Sequence, residues 1–405
     1  MSAAGRPLDA VNFFLADVRD GLGPYLAIYL LTSRHWDPAA IGAVTSAAGI
    51  AGIVAQTPAG ALIDRTRAKR GVVVGAALAV TLASLLVPFV NGFWWVAATQ
   101  AVSGVSAAVF PPAIAAITLG IVGPRAFSRR VGRNEAFNHA GNAAAAAIAG
   151  VSAYAFGTIV VFWLMAAMAL ASTAATLAIP PGAIDHQLAR GLADGRQAGG
   201  PSGWRAVAAS RPLLVFAACT TLFHFANAAM LPLVGQKLAL ANAQLGTTLM
   251  SVCIVAAQAV MVPVAAVTGA KADAWGRKPI FMAALGVLAL RGALYPLSDN
   301  PYWLVGVQLL DGVGAGIFGA LFPLVVADLT RGTGRFNVSQ GAIATAQGAG
   351  AALSAAVAGL VVSLAGYSVA FLFLAGVAAA GFVLFWQAMP ETARLQPSES
   401  PASAL

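Results

Sequence analysis

The sequence predicts an all-α membrane protein, with twelve transmembrane helices in two pseudo-symmetric bundles of six. Three observations lead there. Hydrophobic residues make up 59% of the 405 positions and charged residues only 9%, against about 25% charged in an ordinary soluble domain. The apolar runs reach about 20 residues, the length of helix that crosses a bilayer core. Lipid admits only helices or closed barrels, because every backbone polar group must be satisfied internally. The chain also repeats itself at an offset of 209. Gly60-Ala61-Leu62-Ile63-Asp64-Arg65 and Gly269-Ala270-Lys271-Ala272-Asp273 each end a long apolar segment and run into a basic cluster. The same offset pairs Gly141 with Gly350, Gly150 with Gly359 and Gly157 with Gly366. Parallel duplication within a membrane chain implies two halves built alike.

Taken in order, the spans fall at 9–31, 39–62, 71–91, 94–121, 134–156 and 158–179, then 211–234, 244–269, 279–297, 302–329, 337–364 and 368–389. The first is too long for a signal-peptide core and lacks a cleavage site, so it is expected to be retained. Of the 23 Lys and Arg residues, nineteen fall on the N-terminal side of the membrane, from Arg6 through the Arg65–Arg70 and Arg125–Arg133 clusters to Arg394. The other side holds Arg34 and Lys237. This bias sets both termini in the cytoplasm. The net charge of +9 then serves topology and anionic lipid, and nucleic acid is not expected as a partner. Trp36, Trp94, Trp95 and Trp303 at outer ends, with Trp275 and Trp386 at inner ends, form an interfacial belt. Cys219 and Cys253 lie inside spans and read as small buried residues. Four Lys against nineteen Arg, with abundant Ala and Gly, point to a GC-rich bacterial genome, and so to a bacterial inner membrane.

The longest polar break, 180–210, carries Pro180-Pro181-Gly182 and Gly199-Gly200-Pro201 and reads as a flexible cytoplasmic linker. A short surface helix is expected from Trp204 to Ser210. The expected organisation is therefore a six-helix bundle at 1–179, the linker, a second bundle at 211–390 and a cytoplasmic tail at 391–405. The repeat extends further: Gln100 to Gly104 answers Gln308 to Gly312, and Phe110-Pro111 answers Phe322-Pro323. The glycines of the fifth and eleventh spans sit among alanines. They allow close backbone approach, whether for tight packing alone or for a sliding interface.

With its twelve spans, central loop and paired loops, the chain resembles the major facilitator superfamily along essentially its whole length. The signature after span two runs Gly-x-Leu-x-Asp-Arg-x-Gly followed by two bases. Gly60, Leu62, Asp64, Arg65 and Lys69 match it; Arg67 and Ala68 depart. The second copy keeps Gly269, Asp273, Gly276, Arg277 and Lys278, with Lys271 in place of leucine. Pro390-Glu391-Thr392 resembles the ending of the last helix in sugar and drug carriers. The resemblance implies that each loop packs on the start of a helix of the other half. Asp64 would latch onto the eleventh span near Arg335 and Asn337, and Asp273 onto the fifth span near Arg133, holding the inner side shut. The alternative is that these charges only enforce topology. The resemblance also implies a central cavity lined by spans one, four, seven and ten.

Charges inside hydrocarbon cost about 2.5–3.5 kcal/mol on insertion scales, so each needs a reason. Asp17 and Asp20 sit three apart on one face of the first span. Two close carboxylates cannot both ionise cheaply, which is how a proton-coupling site is made. Arg19 points away from that face and answers either an anionic substrate or a neighbouring helix. His224 and Asn227 hold matching depth in the seventh span. Arg291 and Asp311 lie on the two arms of one hairpin and are expected to pair. In the fifth span Glu135, Asn138, His139 and Asn142 share a face; Glu135 and Arg133 would belong to the gate, while His139 and Asn142 would meet substrate.

The chain has no phosphate loop, no metal spacing and no nucleophile elbow, so an enzyme is not expected. Nor is a cofactor; an ion gradient would drive the work, and Asp and His favour the proton. The expected function is alternating-access transport of a small organic solute by a monomer, proton-coupled and outward. The fifth-span pattern of drug antiporters is only partly present, since Tyr154 stands where a glycine belongs. Uptake of an organic anion, divalent-metal export through Asp17, Asp20 and His224, and a transport-dead sensor are the alternatives.

Overall fold

The computed structural model describes residues 4–20, 22, 26, 29–30, 33–36, 38–156, 159–192, 204–241 and 243–393. Among them there are helices, short 3-10 turns and no strand. The first half runs α1 (Gly5–Asp20), α2 (Pro38–Arg65), α3 (Lys69–Leu86), α4 (Phe93–Ala107), α5 (Phe110–Phe156) and α6 (Val160–Leu177). The second follows the short α7 (Trp204–Ala208) with α8 (Arg211–Ala228), α9 (Met230–Ala241), α10 (Ala243–Trp275), α11 (Arg277–Leu294), α12 (Pro301–Leu329) and α13 (Phe336–Ala388). Ten helical segments among the described residues are long and apolar enough to cross a membrane, and one of them, Phe93–Ala149, holds both the fourth and fifth spans.

Prolines explain where the helices depart from the expected spans. A proline cannot donate to the carbonyl four residues back and its ring crowds that position. Pro111 and Pro112 accordingly separate α4 from α5 within span four, and Pro232 separates α8 from α9 within span seven. The turn from span four to span five is a single residue, Gly123, at φ 67°. Pro124 follows it and leaves the Gly120 carbonyl without its helical donor; the Asp185 amide fills the gap at 3.0 Å. Arg125, Arg129, Arg130 and Arg133, expected in a loop, are therefore on the opening turns of span five. Gly366, at φ 83°, makes the matching turn inside α13 between spans eleven and twelve.

The expected flexible linker is partly a packed strap. Ile184, Ala189 and Leu192 are buried, and the Gly332 amide donates to the Gly191 carbonyl at 2.7 Å. The rest of that linker, 193–203, and the tail from 394 lie outside the described residues.

Helix crossings repeat along with the sequence. A Cβ on Gly104 would lie 2.0 Å from the Ala48 carbonyl oxygen, and one on Gly312 would lie 2.5 Å from that of Ala257. Ala48 and Ala257 are again 209 apart. One apolar core runs from Leu8 to Ala189. The other runs through α8 to α13, and Ala115, Leu119, Phe127 and Val131 of the first half join it. The halves thus fuse at the end where these four residues lie, the end that the charge bias assigns to the cytoplasm.

Candidate functional site

Two carboxylates clamp that end. Asp64, one residue from the end of α2, is buried. It accepts hydrogen bonds from the Asn337 side-chain amide (Nδ2, 2.8 Å) and from the Val338 backbone amide at 2.9 Å. Val338 belongs to the first turn of α13, where amides lack helical partners and the helix dipole favours an anion. The backbones must touch for this to happen. A Cβ on Gly60 would lie 2.2 Å from the Asn337 carbonyl oxygen, and one on Gly341 would lie 2.2 Å from that of Gln56. Asn337 also donates to the Ala189 carbonyl of the strap at 3.0 Å. Lys69 is buried and caps the end of α2 through the Ile63 and Thr66 carbonyls, while Arg65 is exposed. Beside this loop, burial and the Lys69 and Arg67 cations hold the His186 imidazole below its usual range.

The second clamp reaches the helix of span five, as expected, but through Ser128 rather than beside Arg133. Asp273 accepts from the Ser128 hydroxyl at 2.6 Å, and Gly269 lies so close to α5 that its Cβ would meet Gly132 Cα at 2.4 Å. Arg133 instead pairs with Asp9 of α1, as does Arg130, at 2.7 Å each. The repeat explains the correction: Ser128 stands 209 residues before Asn337, so the two clamps are the same contact made twice. Arg277 completes the second, donating to Ser128 at 3.1 Å and pairing with Asp273 at 2.7 Å and Asp328 at 3.1 Å. Gly276, at φ 86°, turns the chain so that Glu391 accepts from the Arg277 and Lys278 amides, at 2.8 and 3.0 Å. Ser128, Asp328 and Asp9 had no role in the sequence reading, and Glu391 entered it only within the Pro390-Glu391-Thr392 ending; of the first three only Ser128 had a signal there, the repeat offset itself.

Further from the clamped end, a cavity of about 540 Å³ opens between the halves. Span one supplies Arg19, span two Gln56, span four Pro111 and Pro112, span ten Phe322 and span eleven Gln340. Gln56 stands two helical turns before Asp64 in α2, so the first clamp lies beyond the cavity toward the fused end.

The sequence model of the Major Facilitator Superfamily matches residues 8–290 and 259–404. The chain belongs to the major facilitator superfamily. Two relatives from Mycobacterium tuberculosis, strains CDC 1551 and H37Rv, are each described as an uncharacterized MFS-type transporter. Both are 62% identical over 389 residues, 96% of this chain and 93% of theirs. Among solved structures, the human organic anion transporter MFSD10 (TETRAN) superposes with a TM-score of 0.68 at 17% identity, covering 95% of this chain and 97% of that one. That likeness carries the fold alone. As a major facilitator protein, this chain is a multi-pass membrane transporter and not an enzyme.

Of the residues expected in the facilitator's central cavity, Arg19 lines the one between the halves; Asp17, His139, Asn142, His224, Asn227 and Asp311 are not among its lining residues. Asp17 is half-buried on α1, and the Asp20 side chain lies outside the described residues. His139 reaches across to the other half, Nδ1 to Gln258 Oε1 at 2.8 Å. Glu135, one turn earlier, rests its carboxylate against Gly319 of α12, where a Cβ would come within 3.3 Å. Asn142 and Asn227 are half-buried. His224 is set edge-on to Phe318 with ring centroids 4.8 Å apart. Arg291 pairs with Asp311, which also accepts from Gln308 at 2.9 Å. Among the described residues, no three His, Cys, Asp or Glu side chains are grouped to hold a metal.

Proposed function

We propose that this major facilitator protein moves a small organic solute across the bacterial inner membrane by alternating access, as a proton-coupled exporter with both termini in the cytoplasm. Residues 1–179 and 211–390 are the halves that rock, within a single chain. The observation that carries the reading is the cavity bounded by residues of both halves, standing over a cytoplasmic closure that is built twice by the same repeat. A closure of that kind gives the solute a path from one side at a time. Separating α2 from α13 and α10 from α5 opens the other side.

Protonatable groups within the spans support the coupling. Asp17 and Asp20 end α1 beside Arg19, and Glu135 and His139 sit where α5 meets the opposite half. A carboxylate that is costly to bury charged loads a proton on the side where water reaches it and sheds it on the other. The test is uptake into proteoliposomes under an imposed pH gradient, screened across organic solutes. Gradient-driven accumulation is expected, and it should fall at least tenfold in Asp17→Asn or Asp20→Asn. Unchanged accumulation and pH profile in both variants would remove the two aspartates from the coupling. Flux that ignores the gradient would remove the proton.

A further inference from the structure

We infer that the transported solute is a small organic acid, bound between the halves with its anionic group on Arg19 and its polar substituents on Gln56 and Gln340; this rests on the alternating-access reading above. The other cations of the described core have partners. Arg291 has Asp311, Arg130 and Arg133 share Asp9, Arg277 has Asp273 and Asp328, and Lys69 holds two carbonyls. Among the described residues, Arg19 makes no ion pair or hydrogen bond and no carboxylate lines its cavity. Arginine does not shed its proton to escape such a setting. An unpaired guanidinium at membrane depth is retained where water and an anion reach it.

The glutamines supply an independent observation. Gln340 is 4% exposed, and its Nε2 has no partner. Gln56 presents a buried Oε1 with none. Both line the same cavity, one from each half. Together with Arg19 they offer a cation, a donor and an acceptor, and buried polar atoms left open in this way are costly unless a ligand or water completes them. The remaining wall is apolar and mostly small, with Ala48, Gly52 and Ala344 beside the larger Phe322. It suits a compact carbon skeleton, and about 540 Å³ lies within the range of small-molecule pockets. The matching solute is a hydroxylated or otherwise donor-bearing carboxylate. Bridging Gln56 to Gln340 also ties such a ligand to the point where the α2 and α13 backbones touch at Gly341.

The experiment measures binding by the purified full-length protein in detergent, with no gradient, so it stands or falls apart from coupling and direction. Thermal melting is followed with matched pairs: lactate and lactamide, salicylate and salicylamide, mandelate and mandelamide, shikimate and its amide. At least one acid is expected to raise the melting temperature saturably, with its neutral amide binding at least tenfold more weakly. Arg19→Gln should abolish the preference, Arg19→Lys should keep the acid preference with weakened affinity, and Gln340→Ala should weaken the acid severalfold. Size-exclusion profiles establish that each variant is folded, and Arg19→Lys carries the test if Arg19→Gln is not. No response to any acid, equal response to acids and amides, or an Arg19→Gln protein that still prefers the acid overturns the inference.

Discussion

Asp64 and Asp273 are copies of one residue, yet their surroundings have diverged. Asp64 is buried and holds two neutral donors, a side-chain amide and the Val338 backbone amide, at the start of α13. Asp273 leaves 57% of its side chain exposed and shares its Ser128 contact with Arg277, which has Asp328 as a second partner. Hydrogen bonds to a charged group contribute about 1.5–3 kcal/mol each; Asp64 keeps two of them buried, whereas Asp273 keeps one, from Ser128, beside a half-exposed ion pair of the kind that contributes about 0–1 kcal/mol. Duplication preserved the geometry of closure and let its strength become unequal. On the proposed alternating-access reading, the side of α2 and α13 is expected to hold this end shut, with the side of α10 and α5 following.

That inequality can be broken most severely at Gly60. Gly60→Leu puts a side chain into the Asn337 carbonyl, where even a Cβ would stand at 2.2 Å, and overpacking of this kind costs about 1–3 kcal/mol or more. The expected outcome is a protein unable to close inward, read as strong cytoplasmic labelling of a cysteine placed at Gln56 and, in the protein that keeps Gln56, as loss of transport. Asp64→Asn should come next. It keeps one acceptor but turns an NH2 group toward the Val338 amide, for a loss of about 1.5–3 kcal/mol. The inward-facing population should rise roughly tenfold or more, measured by double electron–electron resonance across the cytoplasmic ends of α2 and α13. Asp273→Asn should shift the same distance distribution by less than about 1 kcal/mol, because Arg277 retains Asp328. The smallest effect separates the two chemically. Raising salt from about 0.1 M to 1 M shortens the screening length from about 10 to 3 Å, and should loosen the α10–α5 side while leaving α2–α13 unmoved. Equal responses of both sides would erase the distinction.

The same two residues show how far the sequence could be read. Hydropathy located the spans because a bilayer imposes length, and the repeat located both loops because each keeps its glycine and aspartate. For Asp64 the family resemblance pointed to the start of span eleven, where Asn337 stands. For Asp273 the same resemblance pointed to the fifth span near Arg133, but that residue is engaged by the unremarked Asp9. Register, carried by the 209-residue offset, leads to Ser128 instead. The breaks at Pro111, Pro112 and Pro232 follow from local chemistry that a hydropathy profile averages away. The cavity was the least legible feature. Gln56 and Gln340 lie 284 positions apart, and nothing local marks either as facing a void.

The strap adds a mechanical corollary. The side-chain amide of Asn337 has two hydrogens, and it spends one on the Asp64 carboxylate and the other on the Ala189 carbonyl. A bolt and a tether thus hang from one nitrogen. If α13 draws Asn337 away from Asp64, the strap is expected to travel with it, because the Ala189 and Gly191 carbonyls both accept hydrogen bonds from that half.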